Sequence, residues 1–478
     1  MTFPKEIIEL NQVSNIKIQK TILEILPFAF FCWYIPMAVY YFKARITYGD
    51  TGYYLYKMIQ SESLNIESGR AISIISQWIP IILIKLNAPL RIVMIGYSVN
   101  FALIYFAGFL IIKYLLKSHF LALGALLCTH LFLHYGYYYP TEMIFSTVYI
   151  VAIIAFITYN DRNKLQPVST IKTYFIGFVL FLIISFIHPF YYIVTGFILL
   201  CLYLIEQRRF YLYFFTLSIG LFILKVTFLK SGYEAGKISG INFNVLSWNA
   251  IDQSYLTSFW RESFKHHFAV AKFSFFAFVI FLLWKRKWLL AFMLPISYII
   301  LYLFVYLSIP NGESLGYMEC YVAAISVFPL IIFLVYAEKN LQHYKNLFTI
   351  FVFVISLFGL YRIKSEKTYK NRVKYLESIL NYGKEHNITK MYMEDNEIKH
   401  EKILVGWALP YETLLLSTIN GKTQTIYDNS KNLNIDSLNG NTLFLSVPWK
   451  QPIYNINLNK KYFSLDSTSY QRINGLDF

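Results

Sequence analysis

Two acidic residues stand where a carboxylate could do chemistry at a membrane surface. Asp50 lies in Arg45-Ile-Thr-Tyr-Gly-Asp-Thr-Gly-Tyr-Tyr54, just after the first hydrophobic segment, and Glu142 opens a later one. Such carboxylates can act as general bases or bind a divalent cation such as Mg²⁺ or Mn²⁺. Structural explanations stay open, because Asp50 could be a solvated loop residue or a helix cap, and Glu142 could simply favour a helix N-terminus.

Several side chains on the same predicted face are candidates for substrate binding. Tyrosine offers a flat face and a hydroxyl tip to a sugar, and arginine can hold phosphate bidentately, although it can also be a surface anchor. His188 precedes Pro189 within a long apolar stretch, where a polar side chain is a functional candidate or only part of a turn. The glutamates either face the cavity or pair with arginine. The candidates are Tyr53, Arg70, Arg91, Tyr138, His188, Arg261, Glu313 and Glu319.

Composition indicates an integral membrane protein. The 478 residues are 56% hydrophobic and only 15% charged, and the mean hydropathy is +0.46. A soluble core of this size could not hide so much apolar surface. The net charge of +16 is better explained by basic loops held in the cytoplasm than by nucleic-acid binding, which we do not expect. The four cysteines fall in apolar segments, so they are expected to be buried and not to form disulfides or a metal cluster.

A membrane-spanning helix needs about 20 apolar residues, and this criterion predicts about eleven spans. Connections rich in Lys and Arg alternate with connections around 136–141, 187–189 and 309–317 that contain neither. By the positive-inside rule, the N-terminus is cytoplasmic, and loops 43–89 and 230–267 are external. The predicted spans are Ile22–Phe42, Leu90–Ile112, His119–Tyr135, Glu142–Tyr159, Lys172–Ile187, Pro189–Ile205, Phe210–Leu229, Phe268–Trp284, Trp288–Ile309, Met318–Tyr336 and Leu347–Ile363.

Two further regions complete the predicted architecture. The apolar stretch Ile72–Leu86 is short and contains Pro80 and Lys85, so we favour a helix on the outer surface over a twelfth span. After residue 363 the sequence becomes polar, and residues 364–478 are predicted to form a small external α/β domain beside the membrane domain of residues 1–363. Its predicted elements are helices at Lys367–His386 and Trp407–Ser417 and strands at Thr423–Tyr427, Thr442–Val447, Ile453–Ile456 and Tyr462–Leu465.

The order of these features resembles the GT-C superfamily of integral-membrane glycosyltransferases, which includes protein O-mannosyltransferases and the aminoarabinose transferase of lipid A. The first span leads to Asp50, and Arg70 precedes the surface helix Ile72–Leu86. Arg91 follows near the next span, Glu142 starts the fourth, and an external domain closes the chain. The match in layout covers roughly residues 1–200.

The resemblance implies an inverting glycosyltransferase on the outer face of a bacterial inner membrane. Such enzymes transfer a sugar from a polyprenyl-phosphate donor to a glycan, lipid or protein acceptor, and Asp50 would be the general base. Two other functions stay open. A transporter or flippase for a lipid-linked glycan predicts repeat symmetry and mid-membrane charges. A non-catalytic membrane subunit of a larger complex predicts that Asp50 and Glu142 are dispensable.

Overall fold

A computed structural model gives the fold of most of the chain. It describes residues 5–129, 136–162, 167–239, 241, 246–265, 269–308, 315–430, 432–438, 443–446, 453–455, 457–475 and 478. Long apolar helices dominate up to residue 365, and a mixed tail of short helices and strands follows.

The long or apolar helices of the first 365 residues lie at the positions that hydropathy predicts. They are α1 Lys5–Tyr40, α5 Leu90–Leu110, α6 His119–Leu127, α7 Glu142–Arg162, α8 Pro167–Ile184, α9 Phe190–Glu206, α10 Arg209–Thr227, α14 Ala269–Trp284, α15 Trp288–Ser308, α16 Leu315–Asn340 and α17 Lys345–Ser365.

Short helices lie in the connections between these long ones. They are α2 Phe42–Ile46, α3 Asp50–Ser61, α4 Ile74–Lys85, α11 Gly232–Ser239, α12 Trp248–Gln253 and α13 Tyr255–Lys265.

Seven helical segments within the described residues are long and apolar enough to cross a membrane. A helix rises 1.5 Å per residue, so 20 residues span the hydrocarbon core of about 30 Å. The chain is therefore a helical, multi-pass membrane protein by length and composition, while the count of eleven stays a prediction. The seven segments are Leu23–Tyr40, Leu90–Leu115, Glu142–Asp161, Arg209–Thr227, Trp288–Ser308, Cys320–Asn340 and Gln342–Glu385.

Helices α7 and α16 lie at the centre of the bundle. Of the candidate spans, theirs are the most buried, at 78% and 89%, whereas those of α1 and α10 are 28% buried. The outer helices expose large apolar side chains, such as Trp33 and Trp284, which is the expected surface towards lipid. Cys128, Cys201 and Cys320 are buried, as predicted, but Cys32 is exposed, so the prediction of burial is wrong for Cys32, which lies on the outward side of α1.

The connections between the helices sort into two ends of the bundle. At one end, the basic connections near residues 161, 206–209 and 339 meet, with Arg208 paired to Asp161 and Lys339 to Glu206; we call this the basic end. At the other end, the connections 43–73, 136–141 and 185–189 converge. Since α7 runs about 30 Å from Glu142 to its far end, the two groups of connections are separated by the full length of the bundle. We call the second group the acidic end.

The tail consists of short helices and two small sheets, and it packs on the segment before Asp50. Helix α18 (Thr368–Glu385) leads into the parallel strands β1 (Lys390–Met393), β2 (Thr425–Asp428) and β5 (Gln471–Arg472), ordered β2-β1-β5. Strands β3 (Phe444–Ser446) and β4 (Ile453–Asn455) pair in antiparallel fashion. The remaining tail helices are α19 His400–Ile403, α20 Leu409–Ile419 and α21 Ile435–Leu438.

The predicted strand Tyr462–Leu465 is wrong. This stretch is a turn and loop in which Phe463 is buried, so its apolar pattern reflects packing without strand pairing. Strands β1 and β5 were not predicted. Lys390–Met393 is short and β5 is only two residues long, too little for a clear alternation of apolar and polar residues.

Candidate functional site at the acidic end

Asp50 occupies the first turn of α3. The residue before the helix, Gly49, has φ +52° and therefore takes a conformation that favours glycine. A Cβ at Gly49 would lie 3.2 Å from the ring of Tyr139, a tight contact that would push this ring by a few tenths of an ångström. Because Gly49 is the N-cap residue, the explanation of Asp50 as a helix cap is wrong.

The surroundings of Asp50 favour its protonated form more than water does. The carboxylate accepts a hydrogen bond from the Tyr139 hydroxyl at 3.0 Å. Burial among protein atoms raises the pKa of Asp50 to about 6, and the Glu142 carboxylate adds to the increase, while Tyr139 and Arg70 oppose it. The side chain is nevertheless only partly buried. A carboxylate with a pKa near neutral is suited to take a proton from a hydroxyl group.

Glu142 and Arg70 form an ion pair beside Asp50. Glu142 begins the central helix α7 and its side chain is 3% exposed, while Arg70 donates from Nη1 to its carboxylate. The backbone N–H of Ile72 donates to the carbonyl of Phe186 at 3.2 Å, which attaches the Arg70 segment to the α8–α9 connection. Three segments distant in sequence thus place Asp50, Arg70 and Glu142 in one cluster.

His188 lies at the edge of this cluster as a neutral imidazole. Its Nε2 is 3.4 Å from the hydroxyl of Tyr321 on α16. Burial, followed by the charges of Arg70 and Lys225, lowers the pKa of His188 well below its ordinary value. At neutral pH His188 can therefore exchange hydrogen bonds with a ligand but supplies no positive charge.

Other predicted binding residues have structural contacts of their own. Tyr53 donates to Glu67 at 3.2 Å, and Glu67 is close enough to raise the pKa of Asp50. Tyr138 donates to the carbonyl of Ile363 at 2.7 Å and stacks on Tyr369. Tyr53 therefore borders the cluster, whereas Tyr138 fixes the end of α17.

Two further candidates, Arg91 and Arg261, make their described contacts away from the cluster. Arg91 is exposed at the start of α5, with its guanidinium carbon 6.0 Å from the centre of the Phe42 ring. Arg261 pairs with its neighbour Asp252. Glu313 lies outside the described residues, and so does the side chain of Glu319.

A buried arginine, Arg45, was not among the predicted site residues. Arg45 is 1% exposed and donates to Ser98 Oγ at 2.8 Å and to the Tyr137 carbonyl at 2.5 Å. It connects α2, α5 and the segment before α7. A signal was present, because Lys43 and Arg45 follow the first span on the side predicted to be external, against the usual charge bias.

The residues of the cluster do not by themselves fit a divalent cation. Such ions take six or more oxygen ligands, supplied by several protein groups and water. Here Glu142 is already engaged by Arg70, and the described part of the chain contains no group of three or more His, Cys, Asp or Glu able to hold a metal.

A large apolar cavity lies among α13, α14, α15, α16 and α17. Its volume is about 620 Å³, and its walls include Phe275, Phe333 and Phe348. The charged residue in its wall is Lys272, which donates to the Trp260 carbonyl and lies 4.3 Å from the centre of that indole ring. An apolar space of this size between membrane helices can hold a lipid chain.

We compared the chain with protein-family models, curated proteins and solved structures, and none of them matches it.

Proposed function

We propose that the protein is a membrane glycosyltransferase of the GT-C type that moves a sugar from a polyprenyl-phosphate donor to an acceptor hydroxyl. The observation that carries the proposal is the convergence of Asp50, Arg70 and Glu142 at one end of the bundle. Asp50 is the base, because its hydrogen bond comes from the neutral Tyr139, whereas the Glu142 carboxylate is occupied by its ion pair with Arg70.

The reaction is a direct displacement at the anomeric carbon. The acceptor oxygen attacks that carbon, its proton passes to Asp50, and the bond to the phosphate oxygen breaks. Polyprenyl phosphate leaves with the bonding electrons, so the configuration of the anomeric centre inverts. A guanidinium can pair with a carboxylate at one edge and a phosphate at another, and Arg70, held by Glu142, is the group that stabilises the leaving phosphate.

The donor lipid is expected to lie among the membrane helices. The apolar cavity of about 620 Å³ supports this placement, since an isoprenoid chain needs apolar surroundings between the helices. Its wall includes Ser326 and Phe333 of α16, the helix whose Tyr321 contacts His188.

We further infer that eleven helices span a bacterial inner membrane and that the acidic end faces outward. The orientation rests on the short connections, since those around 136–141 and 187–189 contain no Lys or Arg, whereas those around 113–118, 206–209 and 285–287 are basic, which is the bias of cytoplasmic loops. A cysteine replacing Ser231 should react with a membrane-impermeant thiol reagent added to whole cells, and a cysteine replacing Lys287 should not. The reverse pattern contradicts the orientation. Both variants require a background without Cys32, which is exposed.

The proposed activity can be tested with the purified full-length protein in lipid vesicles. A panel of polyprenyl-phosphate hexoses and pentoses is added with a mixed glycan and lipid acceptor fraction, and free polyprenyl phosphate is measured by mass spectrometry. The wild-type protein should release it from at least one donor, and Asp50→Asn should not. Equal release by both proteins contradicts the assignment of Asp50 and favours a transporter or a non-catalytic subunit.

A further inference from the structure

The C-terminal tail contacts the backbone just before Asp50, on both sides of Tyr48. Glu412 of α20 accepts a hydrogen bond from the N–H of Gly49 at 2.6 Å. Arg372 of α18 donates from Nη1 to the carbonyl of Thr47 at 2.7 Å. These two peptide groups flank Tyr48, so the tail fixes the chain immediately before Asp50.

The two tail residues are themselves fixed within the tail. Arg372 is 1% and Glu412 0% exposed, and they form an ion pair with each other. Arg372 also donates from Nε to the carbonyl of Ile403 at 2.7 Å. A buried pair with all partners satisfied is rigid, and removal of one partner leaves an uncompensated charge. The tail therefore presents a preformed acceptor and donor to the Asp50 segment.

A second route links the tail to the Asp50 carboxylate through aromatic rings. The guanidinium of Arg372 lies 5.1 Å from the centre of the Tyr48 ring. Tyr48 packs edge-on against Tyr139, with ring centres 4.9 Å apart, and Tyr139 donates the hydrogen bond to Asp50. The same tail residue thus supports both the backbone before Asp50 and the hydrogen-bond donor to its side chain.

We propose that Glu412 and Arg372 are positioning residues, through which the tail holds Asp50 in the orientation that the reaction needs. This inference rests on the proposed function for its kinetic consequence, but the structural coupling can be measured without it. A displacement of about 1 Å at a catalytic group can reduce a rate by about 100-fold, so contacts to the peptide before the base are sufficient to control kcat.

The test compares Glu412→Leu and Glu412→Gln with the matched control Glu377→Gln in the full-length protein. Glu377 also joins the tail to the membrane domain, but through the side chain of Lys43 at 2.6 Å and not through the backbone of residues 47–49. Glutamine at position 412 keeps an acceptor for the Gly49 N–H, whereas leucine removes it. Hydrogen exchange of residues 47–54 and steady-state kinetics are measured below the unfolding temperature of each variant.

We expect Glu412→Leu to speed amide exchange in residues 47–54 and to lower kcat at least tenfold, with the donor KM within about twofold of wild type. Glu412→Gln should recover part of kcat, and Glu377→Gln should change neither quantity. If Glu412→Leu does not fold, the same comparison is made between Glu412→Gln and Glu377→Gln, where exchange and kcat should still change only in the first.

Unchanged exchange in residues 47–54 overturns the coupling, and faster exchange with an unchanged kcat overturns the positioning role. An equal effect of Glu377→Gln also overturns it, because the loss would then follow from any weakening of the tail contact. Failure of the proposed function looks different, since wild type and Asp50→Asn would then have the same turnover while the exchange result would stand.

Discussion

The two ends of the helix bundle both contain carboxylates, but they use them differently. At the basic end, Asp161 pairs with Arg208 at 2.6 Å and Glu206 with Lys339 at 2.7 Å. At the acidic end, Glu142 is paired with Arg70, while Asp50 is held by a neutral tyrosine and its pKa rises to about 6. Paired surface charges connect helices, whereas a carboxylate with a raised pKa is available for proton transfer.

The largest difference in turnover is expected between two variants, each of which replaces a carboxylate at one end of the bundle by its amide. Asp50→Asn should lower turnover by about two to four orders of magnitude, the range typical of the loss of a general base. Asp161→Asn should leave turnover within about twofold, because its partners at the basic end take no part in the reaction. Turnover is measured with the donor that the wild-type protein accepts.

The same pair of variants should separate activity from stability. Asp50→Asn removes a charge that the folded protein disfavours, so the free energy of unfolding should not fall. If Asp50→Asn keeps near-normal turnover while Glu142→Gln abolishes it, the base is Glu142. If neither change affects turnover, the two ends do not differ in chemistry and the account fails.

A smaller loss of turnover is expected when the ion pair between Arg70 and Glu142, beside the base, is broken. Arg70→Gln leaves Glu142 buried without its cation, which costs about 3–5 kcal/mol for a fully buried pair, and it removes the proposed phosphate contact. The double variant Arg70→Gln/Glu142→Gln should regain stability, measured by thermal unfolding, but not turnover. Recovery of full turnover in the double variant contradicts a role of Arg70 in binding the phosphate.

The smallest effect is expected at the basic end. Lys339 is half-exposed where it pairs with Glu206, and ion pairs of this kind contribute only about 0.2–1 kcal/mol. Lys339→Met should therefore change the free energy of unfolding by less than about 1 kcal/mol and leave turnover unchanged. A loss of turnover comparable to that of Arg70→Gln would show that the basic end also contributes to the reaction.

The positions of the long helices could be predicted because hydropathy alone decides them. Runs such as Trp288–Ile309 contain no charge, and the structure has a helix over Trp288–Ser308. The meeting of Asp50 with Glu142 was also predictable, because alternate connections must lie at the same end of a bundle. The helix positions and the meeting of the two carboxylates were predictable because hydropathy and the alternation of connections are properties of whole segments.

The packing of the tail could not be predicted, because it depends on single contacts between residues far apart in sequence. Glu412 and Gly49 are 363 positions apart, and nothing in either local sequence indicates the other. Tyr139 was likewise missed, since Tyr137, Tyr138 and Tyr139 are equivalent in a sequence pattern. Only the fold shows that Tyr139 reaches Asp50, whereas Tyr138 reaches Ile363.

The pH dependence of kcat/KM tests the central claim most directly. Burial raises the pKa of Asp50 from 3.8 to about 6, so the base is increasingly protonated, and turnover should fall, as the pH drops below about 6. Glu142→Gln removes a charge that raises this pKa, so the fall should move to lower pH in that variant. A rate that stays constant between about pH 5 and 8, or a midpoint that Glu142→Gln leaves unchanged, would contradict Asp50 as the base.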